Sequence, residues 1–326
     1  MTEPTQPHDK LFKGLLDQPG AAGALIRERL PKEIAALLDD SPPELQEGEF
    51  VDEVLRGSQS DRLYLAKLKD GRDLLLYILI DHKSYPDLGV ILQLLGYMAR
   101  IWLRHAGGRV DALRSLPPIL PIVVYHGASE WKVSLSLRDM IAAPDAIKHY
   151  QPDVRYILAD LGPIPNDQLS AYPPLRAGLL ALKYSHRDGD TESVLIQAFT
   201  DAREFPSLFS MLVVYATTVY PDVNPPLLRS VIRKVRPEWE EQMLSIAAKE
   251  WMAEGEARGE ARGEARGEAR GVAESLLEIL EARFGPVDAD RRGQIAAMKA
   301  EALRPLIKLA ATAPTLEAVF ANISLH

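Results

Sequence analysis

The apolar positions of the chain fall into helical and strand-like patterns that alternate along its first half. Residues 8–38 have the apolar spacing of one or two helices, interrupted at Pro19-Gly20. A second helical pattern covers residues 87–105. Strand-like patterns occupy residues 49–55, 61–68, 72–80, 119–125 and 154–158. The order helix, three strands, helix, strand predicts an α/β fold with a mixed sheet flanked by helices, αβββαβ.

The most apolar of these strands ends in charged residues. Residues 74–84 read LLLYILIDHKS, with seven apolar residues before Asp81, His82 and Lys83. Such a run is typical of a central strand that is buried on both faces. Asp81 and Lys83 share a face, because strand side chains alternate, and His82 points away. Charges at the end of a buried strand are costly unless they serve a site.

The preceding strand supplies a second acid, Asp61, and the loop between the strands decides which face it occupies. A two-residue turn would put Asp61 on the wrong face for Asp81. A three-residue loop, 69–71, with its glycine in the left-handed region, pairs Leu68 with Arg72 and puts both acids on one face. A shared site therefore predicts the longer loop.

The helix at 87–105 carries apolar residues near helical spacing, among them Leu92, Met98 and Trp102. It also carries a polar pair, Gln93 and Tyr97, which share a face because they are four residues apart.

Composition limits the class of protein. The chain has 326 residues, is 47% hydrophobic and has no cysteine, which excludes disulfides and thiolate metal sites. No apolar run reaches the roughly 18 residues that span a bilayer, so a cytoplasmic protein without membrane contact is expected. The net charge of −8 argues against bulk coating of nucleic acid but permits a nuclease with one basic cleft.

Three regions are expected: 1–249, 250–271 and 272–326. The first ends in a mostly helical part, from about residue 170. The second contains the sequence GEAR four times and has no apolar face, which predicts a solvated helical spacer. The third is a small helical region that is expected to dock or to associate with another copy of the chain.

The motifs resemble those of the PD-(D/E)xK nuclease superfamily, and specifically the Rpn family of recombination-promoting nucleases, which are also described as transposase-like. The matching stretches are His8 to Lys13, Ser60-Asp61, Ile80 to Ser84, and 116–127 followed by Trp131. The resemblance implies that Asp61 and Asp81 are the metal-binding acids and Lys83 the catalytic lysine. Gln93 and Tyr97 resemble a QxxxY helix motif. Asp81 stands where many relatives carry glutamate.

The resemblance implies a DNA endonuclease active in recombination of mobile elements or in phage defence. Two carboxylates and the His82 carbonyl suit Mg²⁺, or another hard cation such as Mn²⁺ or Ca²⁺. Lys83 would activate the attacking water, and Gln93 would hold that water or a phosphate oxygen. Tyr97 is either a DNA contact or a core residue. The alternative is a catalytically inactive DNA-binding or assembly module with the same fold.

His126 follows the strand at 119–125. It is interpreted as a structural histidine, with a role in metal binding as the alternative.

Overall fold

The computed structural model describes residues 7–46, 62–81, 87–108 and 111–320. Its first helices are α1 (Pro7–Leu16), α2 (Ala21–Arg29) and the short α3 (Lys32–Ala35). The predicted break at Pro19-Gly20 is confirmed, because Gly20 has a φ of 81° and separates α1 from α2. Glycine adopts the left-handed region at little steric cost, and here it directly precedes the first residue of α2.

Five strands of the described part form one mixed sheet in the spatial order β1-β2-β3-β4-β5. They are β1 (Glu44–Leu45), β2 (Arg62–Lys67), β3 (Asp73–Asp81), β4 (Ile119–Tyr125) and β5 (Ile157–Asp160). The first three pair antiparallel, and β3, β4 and β5 pair parallel. The predicted α/β fold with a mixed sheet is therefore confirmed. The predicted strand at 49–55 lies outside the described residues, and the strand beside β2 is β1.

The loop between β2 and β3 fixes the register of the central hairpin. Leu68 N–H donates to the Arg72 carbonyl at 2.8 Å, and Gly71 N–H donates to the Leu68 carbonyl at 2.8 Å. Gly71 has a φ of 85°. Further along the hairpin, Arg62 pairs with Ile78. The predicted three-residue loop with a left-handed glycine is therefore confirmed.

Helices enclose the sheet. One face packs against α4 (Val90–Ala106), where Leu75 and Tyr77 of β3 share an apolar cluster with Leu94. Leu76 and Ile78, which alternate with these residues along β3, are fully buried as well. Burial on both faces explains why β3 is continuously apolar and does not alternate with polar residues.

The rest of the first compact unit, Met1–Ala248, is mainly helical, as predicted for the residues after 170. Its further helices are α5 (Leu137–Met140), α6 (Asp145–Lys148), α7 (Pro173–Tyr184), α8 (Thr191–Ala202), α9 (Pro206–Val219) and α10 (Pro225–Val235). The last four pack together with α1, which contacts both α7 and α9. Prolines begin α7, α9 and α10, where their missing N–H costs no helical hydrogen bond.

The second compact unit, Lys249–His326, has an apolar core of its own. The helix α11 (Glu240–Phe284) contains all four GEAR repeats without interruption, so the repeat is helical as predicted. Its last turns contribute Leu276 and Leu280 to that core, together with residues of α12 (Ala289–Ala296), α13 (Ala300–Thr312) and α14 (Leu316–Phe320). Among the described residues, no helix has the length and apolar character that crossing a bilayer requires.

Candidate functional site

Three parallel strands end side by side at one edge of the sheet. Asp81, the last residue of β3, pairs with Tyr125, the last residue of β4, and Tyr125 pairs in turn with Asp160 at the end of β5. In sheets of this kind, ligands bind outside the carboxyl ends of the parallel strands. The backbone of Asp81 therefore stands at the edge where a site is expected, on the central strand.

Of the predicted metal site, the structure describes only the backbone of Asp81. Asp61, His82 and Lys83 lie outside the described residues. The hairpin register bears on them indirectly, because Arg62 pairs with Ile78. This is the register that the prediction requires if Asp61 and Asp81 are to share a face.

The predicted polar pair on α4 is present. Gln93 is exposed, and its side-chain amide donates to the Tyr97 hydroxyl at 3.2 Å. Tyr97 is half-buried, and its ring lies 5.3 Å from that of Tyr77 on β3, measured between ring centroids. Tyr97 therefore packs on the sheet through its ring and presents its hydroxyl to Gln93. Of the two alternatives for Tyr97, packing in the core is observed, and contact with DNA stays a prediction.

Two arginines extend this pair along α4, and sequence reasoning missed them. Gln93, Tyr97, Arg100 and Arg104 are spaced i, i+4, i+7 and i+11, which places them on one face of the helix. Both arginines are exposed, and α4 contains no acidic residue. The sequence feature that could have revealed them is the spacing of the two arginines, seven and eleven residues after Gln93. The result is a cationic ridge, defined as Gln93, Tyr97, Arg100 and Arg104.

Arg62, the first residue of β2, forms an ion pair with Asp17, the residue after α1. Its guanidinium donates to both carboxylate oxygens of Asp17, at 3.0 and 3.1 Å, and its side chain is only 14% exposed. This ion pair ties the first residue of β2 to the residue that follows α1. Arg62 therefore fixes the start of β2 against the end of α1.

Asp160 is committed to structural contacts at the same edge of the sheet. Its carboxylate accepts from the Gly162 N–H at 2.9 Å and lies 3.8 Å from the Arg187 guanidinium. Both contacts involve the segments that follow β5 and α7, so this acid stabilises the loops that surround the edge.

Comparison with known proteins identifies related sequences. Residues 6–208 match the family described as "Putative transposase, YhgA-like". The chain is 33% identical over 181 residues to "Recombination-promoting nuclease RpnD" of Escherichia coli O157:H7, covering 55% of this chain and 67% of that protein. It is 29% identical to "Recombination-promoting nuclease RpnA" of Escherichia coli K12, covering 64% of this chain and 72% of that protein.

A third relative carries a different description. "Inactive recombination-promoting nuclease-like protein RpnE" of Escherichia coli K12 is 27% identical, covering 65% of this chain and 73% of that protein. No solved structure matches the chain significantly. The family match extends over more than half of the chain, from α1 into α9, and includes the whole described sheet. The chain therefore belongs to the YhgA-like transposase family, which includes Rpn recombination-promoting nucleases.

Proposed function

We propose that the chain is a metal-dependent DNA endonuclease that hydrolyses phosphodiester bonds in recombination of mobile elements or in phage defence. RpnD and RpnA, which are described as recombination-promoting nucleases, support the nuclease activity. The observation that carries the proposal for this chain is the β2–β3 register, with Arg62 opposite Ile78. It is the register that two acids from neighbouring strands need in order to share one ion.

The proposed site is built on Asp61, Asp81 and Lys83. The donor set is two carboxylates and the His82 carbonyl, all oxygen ligands, which fits Mg²⁺ or another hard divalent cation. When bound, such an ion supplies a Lewis acid for the phosphate and lowers the pKa of a bound water. Lys83 orients or deprotonates the attacking water and stabilises the charge that develops on the phosphate oxygens. From its position on α4, Gln93 holds the water or a phosphate oxygen.

The cationic ridge on α4 is the proposed contact for the DNA backbone. Arg100 and Arg104 follow Gln93 along one exposed face, so their guanidinium groups extend from Gln93 towards the carboxyl end of α4. The whole chain carries a net charge of −8. DNA binding therefore depends on such a local group of cations and not on bulk charge.

Cleavage of supercoiled plasmid DNA by the purified full-length chain tests the proposal. With Mg²⁺ the parent protein should nick or linearise the plasmid, and EDTA should stop it. Asp61→Asn, Asp81→Asn and Lys83→Ala should each lower the rate about 100-fold or more, the scale of losing one transition-state contact. Asp145→Asn is the matched control, because the Asp145 side chain is 96% exposed and lies outside the proposed site. Unchanged cleavage by the three site variants would show that the site is wrong.

A second candidate is a catalytically inactive DNA-binding or assembly module. The relative RpnE, which is described as inactive, favours it. This module would bind DNA through the ridge but leave the plasmid intact with every divalent cation, and Asp81→Asn would not change its affinity. A band-shift assay beside the cleavage assay separates the two functions.

A further inference from the structure

Three histidines from distant parts of the chain meet inside the first unit. His8 lies on α1, His126 directly follows β4, and His186 lies between α7 and α8. One ring nitrogen from each lies within 4.8 Å of the other two, and this is the one such histidine or carboxylate group found among the described residues. The ring centroids are 5.0 Å apart for His8 and each of the others, and 5.4 Å apart for His126 and His186. His8, His126 and His186 are called the histidine cluster below.

The cluster is separate from the proposed nuclease centre. Tyr125 packs in the apolar cluster with α4, whereas the next residue, His126, contacts Leu182 of α7. Consecutive residues at the end of a strand point to opposite faces of the sheet. The cluster therefore lies on the side of α1 and α7, and the Gln93–Tyr97 pair lies on the side of α4.

The hydrogen bonds of His126 prepare one of its nitrogens for a metal. His126 is fully buried, and its Nδ1 lies 3.1 Å from the Leu182 carbonyl oxygen and 3.2 Å from Ser185 Oγ. A carbonyl oxygen only accepts, so Nδ1 carries the proton and Nε2 carries the lone pair. A backbone carbonyl on the far ring nitrogen is the usual way in which proteins orient a metal-binding imidazole.

The other two histidines are held in place by neighbouring contacts. His8 Nδ1 lies 2.8 Å from the Tyr215 hydroxyl. In the tautomer that carries its proton on Nδ1, this hydroxyl accepts the hydrogen bond and Nε2 is the ligand atom. Arg187, the residue after His186, donates to the carbonyls of Gly127 and, at 3.3 Å, Ala128. The segment that carries His186 is thus fastened to the segment that follows His126.

We propose that the histidine cluster binds one borderline divalent cation, of the class of Zn²⁺ or Co²⁺, through three imidazole nitrogens and a water. Three histidines with a water in the fourth position is an established tetrahedral arrangement for zinc. With metal–nitrogen distances of about 2.05 Å, a tetrahedral site needs nitrogens roughly 3.3 Å apart. Donors already within 4.8 Å reach that spacing by small side-chain rotations.

The chemistry of the cluster differs from that of the proposed nuclease centre. Imidazole suits zinc, cobalt, nickel and copper, whereas carboxylate and carbonyl oxygens suit magnesium. The two sites therefore select different ions in the same solution. An ion at the cluster joins α1, the end of β4 and the segment between α7 and α8, so its role is to stabilise the first unit and not to act on DNA.

Cobalt titration of the tag-free, chelator-stripped full-length chain in excess Mg²⁺ tests the proposal. One equivalent should bind and give the intense visible absorption of four-coordinate cobalt. His8→Gln and His186→Gln should weaken binding by more than the roughly 10- to 100-fold that loss of an outer hydrogen-bond partner costs. Both residues are half-buried and therefore tolerate exchange better than His126. His149→Gln, at an exposed histidine outside the cluster, should bind as the parent does.

Two further measurements keep the outcome unambiguous. Asp81→Asn should retain the cobalt spectrum, so failure of the nuclease proposal leaves this test intact. Zn²⁺ should raise the Tm of the parent protein but not that of the His186→Gln variant, because an ion stabilises the folded state only if it binds to that state. Absence of binding, a weak six-coordinate spectrum, or unchanged affinity in both histidine variants would overturn the proposal.

Discussion

Replacement of Gly71 by alanine tests the hairpin register on which the proposed metal site depends. Gly71 closes the loop between β2 and β3 with a φ of 85°. An L residue in the left-handed region costs about 1–2 kcal/mol, because its Cβ crowds the following carbonyl oxygen. Beyond the two neighbouring residues of the chain, a Cβ at Gly71 would meet no atom within 4 Å, so no further steric clash adds to this cost. Gly71→Ala should therefore lower the free energy of unfolding by about 1–2 kcal/mol.

The chain offers a matched control at Gly96. A Cβ at Gly96 would also meet nothing within 4 Å, but Gly96 lies in the middle of α4. Glycine inside a helix is about 1 kcal/mol less favourable than alanine. Gly96→Ala should therefore stabilise the protein by roughly 0.5–1 kcal/mol. The same substitution, made at two positions with open space around the new Cβ, should therefore change the free energy of unfolding in opposite directions.

Urea unfolding followed by circular dichroism measures both effects, provided that the slope with denaturant is unchanged. Gly71→Asn should recover part of the loss, because asparagine tolerates the left-handed region. A Gly71→Ala variant as stable as the parent would contradict the left-handed loop and would remove the support that the register gives to Asp61 and Asp81.

Three further predictions follow from other parts of the fold. Arg100→Ala and Arg104→Ala should weaken DNA binding on all sequences alike, each lowering the salt slope by about 1 in a titration at several salt concentrations. Gly178→Ala should destabilise the protein by about 1–3 kcal/mol in urea unfolding, since the new Cβ would lie 2.4 Å from the Leu15 side chain, which is fully buried; wild-type stability would contradict this close approach of α1 and α7. Burial raises the pKa of Tyr64 from 10.0 to about 12. The Tyr64 hydroxyl therefore ionises at lower pH in the unfolded chain than in the folded protein. The free energy of unfolding should fall as pH rises from 10 to about 12, and in Tyr64→Phe this fall should be smaller when unfolding is measured across the same range.

The apolar pattern predicted the central strands β3 and β4, because a strand that is buried on both faces has a continuous run of apolar residues. The run that begins at Leu74 appears in the structure as the central strand β3, Asp73–Asp81. The loop length was also predictable, although composition alone did not decide it. The demand that Asp61 and Asp81 share a face excluded the two-residue turn, and Gly71 has the conformation that the longer loop needs.

The buried face of α4 was predicted wrongly in part. The pattern placed Leu92 on the apolar face, but Leu92 is 59% exposed, whereas Ile91 and Leu94 are fully buried. Apolar residues extend beyond the buried face to the exposed Leu92 and Leu103, so the periodicity of the helix alone does not determine which apolar side chains face the sheet. The buried side of α4 is determined by its contact with Tyr77 and the neighbouring apolar residues of the sheet.

The histidine cluster was beyond sequence reasoning for a different reason. His8, His126 and His186 are separated by more than fifty residues at each step and share no spacing motif. Only the packing of α1 and α7 against the sheet brings them together. His126 was interpreted as a structural residue, and its hydrogen bond to Leu182 agrees with that role while also setting its tautomer.

The long helix α11 is continuous through a repeat whose charges oppose helix formation. In the GEAR repeat, glutamates follow one another at i, i+4, and so do arginines, whereas each glutamate is two residues from an arginine, on another side of the helix. Like charges at i, i+4 oppose a helix, yet α11 is continuous from Glu240 to Phe284. Buried residues on either side of the repeat, such as Met243 and Leu276, let the helix propagate through it without a new nucleus. Salt that screens the repulsion between like charges should therefore strengthen the helix within the repeat, although it also weakens the ion pair that Arg270 forms with Glu274 beyond it.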